Sequence, residues 1–590
     1  MTSPLAGVSL NLVETIDDAM AFKRWVGERR EGPLGIDTET EGLHYWRHGL
    51  RLIQIGDLRT GWAIPWQRWG GAALEVMNAW DGDWVAHNGP FDFKSIKHHT
   101  GFEIPWHRTD DTLTMGRLDN PVRQNGLKPL STSLIDRRAN AGQKALDEAF
   151  AANKWNWATV PLNFPPYWHY SALDPVLTAH LRKHFAPRIA AECPEAYALE
   201  RSANRLCTLM SMKGMLVDVP YVEKSIDGFD KSSREIRAWL KKAHKITSPK
   251  SGGQLRRALE ALGQEVLFWT DRGTPQFDKD ALVFYEKNGE NDAVKQLAAY
   301  IRAVRHVEDI RDRYSMKFLE LRDDDDVIHA NINVMGARTG RMSVSDPALQ
   351  QLPRDDVVIR GSFVPRPGNV FITCDLDQIE ARLAAHFSQD EGLIQAFLDA
   401  DAGGSDFFCA VASTIFGEPV TKADKRRQMT KNTVYGSLYG SGVETMARTA
   451  GVPVDQMAPA KKAFDERFPG LPRYAGQLIR ESRRSNPPSI RGPLGRLLIA
   501  DKGREGTQIL NAYIQSHAAE LMKQFLVRID TAGLGDALRL VVHDEAIIEV
   551  PAEDAVEALK VVQDCMTERM AYRVPLTAGG SILTERWAKT

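Results

Sequence analysis

The sequence predicts an α/β protein of several units, with mixed α/β (α+β) segments at both ends and a helical stretch between them. Three observations carry this. Up to about residue 190, the apolar runs PLGIDTET, LRLIQIGD, GWAIPW and DWVAHN alternate with helix-like segments, the pattern of strands layered with helices. From about 193 to 325 the chain reads as helix at 200–212, 232–244, 253–262 and 292–313, and the acidic run 323–326 then marks a surface turn. Beyond it FITCDL (371–376) reads as a strand leading into a helix at 378–388. Residues 391–449 are mostly helical, GRLLIA (495–500) is a short strand, and a long helix spans about 508–531. The stretch VVHDEAIIEV (541–550) reads as a hairpin with Asp544 and Glu545 near its tip.

The bulk numbers bound the rest. A chain of 590 residues is too long for one core and predicts roughly 3 to 5 domains. It is 43% hydrophobic and 26% charged, with net charge -2. No apolar run approaches the roughly 20 residues of a membrane span, and the N-terminus lacks a basic region followed by an apolar core. Five scattered cysteines without CxxC spacing point to a reducing compartment and away from zinc. The near-neutral sum hides one basic stretch. Residues 231–257 carry nine Lys or Arg and one acid, a charge run suited to a solvated face or to nucleic acid.

The first chemical constellation lies between residues 37 and 174. IDTET places Asp37 and Glu39 two apart on a strand, so both face one side. HNGPFD supplies Asp92, and YSALD supplies Tyr170 and Asp174 on one helix face. Four carboxylates and a tyrosine are the equipment of phosphodiester hydrolysis with two metal ions roughly 3.5–4 Å apart. This ordered set resembles the proofreading 3′–5′ exonuclease domain of the DEDD type with tyrosine, which has an RNase H-like fold. The resemblance implies metal binding by Asp37, Glu39, Asp92 and Asp174, and a water-orienting role for Tyr170.

The second lies between 337 and 545. Asp375 ends a strand and is the natural partner of Asp544 on a neighbouring one. In KRRQMTKNTVYGSLYG, Arg427, Lys431, Tyr435 and Tyr439 recur every four residues, which lines them along one helix face. Two cations followed by two aromatics suit a triphosphate at one end and a base and sugar at the other. ARTGRMSVSDPALQQLPR (337–354) suits a loop that tracks a nucleic-acid backbone.

Taken in order, TGRMSVSDPALQQLP, DLDQIEARLAAHFS, RQMTKNTVYGSLYG and VVHDEAIIEV resemble the signature motifs of family A DNA polymerases. With the exonuclease motifs, the resemblance spans about residues 30–550. It implies an exonuclease domain at 1–192, a thumb at 193–327 and palm and fingers at 328–590, the thumb using the basic stretch to grip duplex phosphates. It further implies two Mg²⁺ ions per active site (Mn²⁺ substituting), held in the polymerase by Asp375 and Asp544 with Glu545 beside them. Arg427 and Lys431 would bind the dNTP triphosphate, with Lys431 also placed to protonate the leaving pyrophosphate. Tyr435 would pack on sugar and base, Tyr439 would lie at the template side, Gln378 would line the dNTP site, and Glu380 would exclude a 2′-hydroxyl. Arg341, Gln351, Asn511 and Gln515 match primer-template contacts, and His543 lies near the primer end.

The sequence departs from the family pattern at Leu376-Asp377, at Ser516-His517, and at Phe408 where many members have a triphosphate-contacting His. The chain starts at the exonuclease motifs, so no 5′ nuclease is expected. The expected protein is a monomeric, phage-type replicative enzyme in the (host) cytoplasm, working on primer-template DNA and dNTPs beside a helicase-primase and a single-strand binding protein, with no membrane partner. A second reading, an exonuclease whose polymerase half only binds DNA, is opposed by the intact Asp375, Lys431 and Asp544.

Overall fold

The computed structural model describes residues 5–28, 32–352, 357–403, 406–568 and 571–588. Pro353 and Arg354, the end of the 337–354 loop, lie outside the described residues.

The N-terminal part is built on a mixed six-stranded sheet of β1 (Ser9–Leu12), β2 (Leu34–Thr40), β3 (Leu50–Gly56), β4 (Thr60–Pro65), β5 (Trp84–Ala86) and β6 (Thr109–Asp111), ordered β1-β4-β3-β2-β5-β6. β2, β3 and β4 form an antiparallel meander, β1 runs parallel to β4, and β5 and β6 continue parallel to β2. The predicted strands are all present. β1 and β6 were not foreseen, because SLNL and TDD are too short and too polar to show a period of two. Helices α1 (Gly89–Thr100), α2 (Leu127–Leu134) and α3 (Pro165–Glu192) follow. α3 crosses β2, β3 and β4 at very close range. A Cβ on Gly35 or Gly61 would collide with the carbonyl oxygens of Pro175 or Ala172. These two glycines let the α3 backbone lie against the sheet, which brings Tyr170 and Asp174 over the end of β2.

α4 (Pro194–Lys213) leads into the helical stretch with α5 (Val219–His244), α6 (Gly252–Ala261) and α7 (Asp292–Ile310). α5, α6 and α7 share a small core of their own, with Leu240, Leu255, Leu259, Leu297, Ile301 and Val304. The nine cations of 231–257 are all exposed on α5, α6 and the turn between them. The helix expected over 292–313 ends at Ile310 and widens into a π-turn at Arg311–Ser315.

The C-terminal part is organised by an antiparallel sheet of β7 (Asn369–Leu376), β8 (Leu538–Val542), β9 (Glu545–Pro551) and β10 (Ala578–Leu583), ordered β8-β9-β7-β10. Buried residues from both of its faces, among them Phe371, Ile372, Val541, Ile547 and Ile548, join the largest core of the protein. Helices α8 (Ile379–Ser388), α9 (Phe407–Phe416), α10 (Lys425–Leu438) and α11 (Glu505–Ile529) pack around it. β10 escaped the sequence reading because AGGSIL carries two glycines, which weaken a strand signal.

The tip of the β8–β9 hairpin differs from the expectation. The chain turns at His543-Asp544, and Glu545 already pairs with Val542 and with Asp375 across the sheet. A two-residue loop needs a positive φ at its start, and His543 takes it, at +57°. An imidazole in that region is strained, a feature found where function over-determines the backbone.

Candidate active sites: two carboxylate clusters

In the N-terminal cluster, β2 ends with Asp37 and Glu39, α1 contributes Asp92 in its first turn, and α3 contributes Tyr170 and Asp174. All five sequence-predicted residues therefore converge. Glu39, Asp92 and Asp174 are buried at 9%, 2% and 5% exposure. Thr38 clamps Asp92, donating its backbone N–H at 2.9 Å and its hydroxyl at 2.6 Å to Oδ1. Ser171 donates to Glu39 Oε1 at 3.0 Å.

Burial and mutual repulsion strain this cluster. Burial, then the charges of Asp92, Asp174 and Glu39, push the Asp37 carboxyl well above its ordinary range. Burial and Asp174 push Glu39 up to about 8. Burial pushes Asp92 up to about 7 against the Thr38 hydrogen bonds. Burial also raises Asp174, against the neighbouring Lys128. Burial and the same carboxylates raise Tyr170, so its hydroxyl keeps its proton.

Sequence reasoning missed Lys128. Its ammonium on α2 contacts Asp174 and lies 3.9 Å from the Tyr170 ring centroid. Among the described residues, no three His, Cys, Asp or Glu side chains are gathered closely enough to hold one ion between them. Lys128 is the local positive charge in this arrangement. Buried, mutually repelling carboxylates with oxygen donors only fit hard divalent cations such as Mg²⁺ or Mn²⁺.

The second cluster lines a cavity of about 670 Å³. Asp375 at the end of β7 meets Asp544 in the neighbouring hairpin turn, with the Leu376 N–H donating to the Asp544 carbonyl at 3.2 Å. Glu545 joins them and lies 3.6 Å from Arg360. Burial, then the charges of Asp375, Asp377 and Glu545, push the Cys374 thiol up to about 12. α10 lines the same cavity through Arg427, Lys431 and Tyr435, and its C-cap Tyr439 joins them. Tyr435 and Tyr439 stack at 6.0 Å. Burial, then Glu380 and Asp544, push the Tyr435 phenol up to about 12.

Phe408 packs beneath the cations. Arg427 and Lys431 lie 5.7 and 5.9 Å from its ring, and Tyr435 at 5.9 Å. Asp406, the N-cap of α9, grips Arg427 through two hydrogen bonds of 2.8 and 3.0 Å. Burial opposes ionisation of Asp406, yet Arg427 holds its carboxyl below the usual range. Phe408 was expected at the triphosphate end, in place of a His, and it lies beside both cations there; Asp406 was not foreseen.

Glu380, 7% exposed, joins two other predicted residues. It accepts from Arg341 and, at 2.7 Å, from the Tyr439 hydroxyl. Gln378 takes φ +51° at the start of α8 and lines the same cavity. Burial, then Arg341, hold His543 below its ordinary value.

Other predicted contacts lie elsewhere. Gln351 is exposed outside the cavity, its carbonyl accepting from Tyr314 at 2.9 Å, whereas its neighbour Gln350 lines the cavity and donates to the Val541 carbonyl at 3.2 Å. Asn511 and Gln515 sit one turn apart on α11, half-buried and away from the cavity lining. Ser516 and His517 are buried in the core, His517 meeting Tyr572 at 2.6 Å, so that departure from the family pattern does not face the cavity.

Comparison with known proteins covers both parts of the chain. The profile of DNA polymerase family A matches residues 222–589, and that of the 3'-5' exonuclease matches residues 13–190. The DNA polymerase of Mycobacterium phage D29 is 28% identical over 95% of this chain and 94% of its own length, and that of Mycobacterium phage L5 is 27% identical over the same shares. DNA polymerase I of Chloroflexus aurantiacus is 35% identical over 42% of this chain and 28% of its own length. A structure of the POL domain of Pol1 from M. smegmatis, in complex with DNA primer-template and dNTP, shares the fold with TM-score 0.81 at 22% identity, covering 98% of this chain and 99% of that one. The chain belongs to DNA polymerase family A and carries a 3′–5′ exonuclease domain ahead of its polymerase part.

Proposed function

We propose that the C-terminal cavity adds dNTPs to a primer 3′ end and that the N-terminal cluster removes nucleotides from it, as a replicative enzyme does. The observation that carries the reading is one cavity lined by Asp375 and Asp544 together with Arg427 and Lys431. Carboxylates and cations lining one space of this size suit a triphosphate accompanied by metal ions.

Asp375 and Asp544, with Glu545 beside them, would hold two divalent ions, as would Asp37, Glu39, Asp92 and Asp174. We propose Mg²⁺, with Mn²⁺ as a substitute. Such ions, when bound, acidify an attacking hydroxyl or water and neutralise charge on phosphate and leaving group. The protein contributes position and electrostatics. Arg427 binds triphosphate oxygens as a fork and Lys431 as a point charge that can yield a proton to pyrophosphate. Tyr435 packs on sugar and base, Tyr439 lies on the template side, and Gln378 lines the nucleotide site. Glu380, tied by Arg341 and Tyr439, meets the sugar edge where a 2′-hydroxyl would fall. Arg341, Gln351, Asn511, Gln515 and His543 are the proposed DNA contacts. In the other cluster the protonated Tyr170 orients the attacking water.

We assign 1–192 to the exonuclease domain, 193–327 to the thumb and 328–590 to palm and fingers. The separate core of α5, α6 and α7 supports the thumb assignment. The chain would work as a monomer in the cytoplasm, that of a host cell if phage-encoded, with a helicase-primase and a single-strand binding protein. Among the described residues, no helix is long and apolar enough to cross a membrane.

The test uses a 5′-labelled primer-template with Mg²⁺, with and without dNTPs. Extension with dNTPs and shortening without them is expected. Asp37→Ala should abolish only shortening and Asp544→Ala only extension. Loss of both activities in either variant would overturn the two-site reading.

A further inference from the structure

Residues 584–588, which follow β10, line neither carboxylate cluster, yet their contacts lead into the nucleotide cavity. Trp587 is 1% exposed. The Arg360 guanidinium lies over its ring, 4.8 Å from the centroid. Arg360 lines the cavity that holds Asp375 and Asp544, and it stands 3.6 Å from the Glu545 carboxylate, with both side chains largely out of water. That distance is an ion pair but too long for a hydrogen bond. It attracts the guanidinium without fixing its direction. The flat indole face beneath supplies the direction.

Trp587 is itself tied to the stretch that carries Arg360. Its N–H donates to the Phe363 carbonyl at 2.9 Å, and the two rings meet at 5.8 Å. Arg586 donates to the Gly361 carbonyl at 2.8 Å. The same arginine reaches the start of α5, pairing with Asp218 at 2.7 Å and lying 4.2 Å over the Tyr221 ring. Asp218 is the N-cap of α5, accepting from the Tyr221 N–H at 3.0 Å, and its own N–H donates to the Ser362 carbonyl at 2.9 Å. The crossing has no slack. A Cβ on Gly361 would come within 2.5 Å of the Val357 carbonyl oxygen and 2.9 Å of the Tyr221 hydroxyl. Residues 586 and 587 therefore join the start of α5, the backbone of 361–363 and the lining of the nucleotide cavity.

We infer that Trp587 is a positioning residue for nucleotide addition: its indole face holds the Arg360 guanidinium where it meets Glu545, and Arg586 anchors that support to the start of α5. Among aromatic side chains indole is the best face for a cation. An arginine that loses it has many rotamers to visit. Glu545 follows Asp544 and pairs with Asp375 across the sheet, so the direction of Arg360 sets how much negative charge Glu545 presents beside the two aspartates. The inference rests on the polymerase reading of this cavity.

The test uses the full-length protein and single-turnover addition of one dNTP to a 5′-labelled primer-template. The addition rate and the apparent dNTP Kd are followed across a Mg²⁺ titration, with primer shortening and melting measured alongside. In Trp587→Leu, addition should slow about tenfold and half-saturation by Mg²⁺ should shift, with the dNTP Kd and primer shortening close to wild type. Trp587→Phe keeps an aromatic face and should recover most of the rate, even where it melts no higher than Trp587→Leu. Arg360→Met should show the same loss, and combining it with Trp587→Leu should add little, since both act through one contact. Arg586→Gln leaves the indole in place and loosens its anchor, so it should slow addition in the same direction by a smaller factor. The inference falls if Trp587→Leu adds nucleotide at the wild-type rate, or if the losses in the double variant multiply. It falls too if the Phe and Leu variants lose rate in proportion to their melting alone, because Trp587 would then only fill the core. Should Trp587→Leu fail to fold, wild-type rates in both Arg586→Gln and Trp587→Phe would overturn it. Failure of the wild-type protein to extend at all would instead overturn the polymerase reading.

Discussion

Glu200 on α4 sits at the centre of a fully buried ion network. Lys523 and Arg496 both bond its Oε1, Arg496 also reaches Glu520 at 3.2 Å, and Lys523 donates to the Gly340 carbonyl at 2.7 Å. The exposures of Glu200, Arg496, Glu520 and Lys523 are 0%, 2%, 1% and 0%. Glu200→Met should leave two buried cations facing Glu520 alone. Breaking such a pair costs about 3–5 kcal/mol. At about 1.4 kcal/mol per tenfold, amide exchange in α11 should speed up roughly a hundred- to several-thousand-fold. Adding Lys523→Met removes the orphaned charge, leaves Arg496 with Glu520, and should return exchange close to the wild-type rate. Local exchange is the right readout, because a chain with several cores has no single unfolding free energy. The double variant separates stability from positioning. Gly340 precedes Arg341, which holds Glu380 in the nucleotide cavity, so extension should stay impaired although the fold has recovered. A double variant as labile as the single one would refute the ion-pair reasoning. A fully active double variant would refute the link to Gly340.

Other outcomes follow from single contacts. Phe408→Leu removes the ring under Arg427 and Lys431. With each cation–π contact worth about 0.5–1 kcal/mol, KM for dNTPs should rise several-fold in steady-state extension, with kcat less affected. The family resemblance implies that a tyrosine at 435 tolerates dideoxynucleotides, so Tyr435→Phe should reduce their incorporation relative to dNTPs by a few-fold to about tenfold if the lost hydroxyl is worth one net hydrogen bond to substrate, and equal terminator use by both proteins would contradict it. Lys128→Met takes the cation from Asp174 and should slow primer shortening while sparing extension. The pH dependence of the metal-free protein follows from Asp92 and Glu39, whose carboxyls are raised to about 7 and about 8. Both are ionised near pH 4 when unfolded and protonated when folded, so their contribution is fully present below that point. Stability should then fall by about 1.4 kcal/mol per pH unit for each group until pH passes the folded value. Melting in EDTA from pH 6 to 9 should drop, and added Mg²⁺ should flatten the profile.

Much of this protein is legible in its sequence where a residue type is forced by local geometry. Asp37 and Glu39 share a strand face, Tyr170 and Asp174 share a helix face, and the four-residue repeat of α10 puts Arg427 to Tyr439 along one wall. Periodicity alone yields those relations. Asp375 and Asp544 lie far apart in sequence, and they meet because two apolar strands pair. What stayed hidden depends on partners distant in the chain. Lys128 looks like any helix lysine until α3 brings Asp174 to it. Asp406 is an ordinary N-cap, and only the approach of α10 makes it the anchor of Arg427.

The one-residue misplacement of the turn at the hairpin tip is instructive for the same reason. Asp544-Glu545 looked like the turn because adjacent carboxylates are costly in a strand. The structure keeps Glu545 in β9, opposite Asp375 and near Arg360, and places His543 in the positive-φ position instead. A Gly or Asn would form this turn with less strain. Glycine would also free the backbone that aims Asp544 across to Asp375. His543→Gly should therefore preserve or raise stability yet slow extension, measured as single-turnover dNTP addition. If it were as active as wild type, the strain at residue 543 would have no bearing on the alignment of the two aspartates.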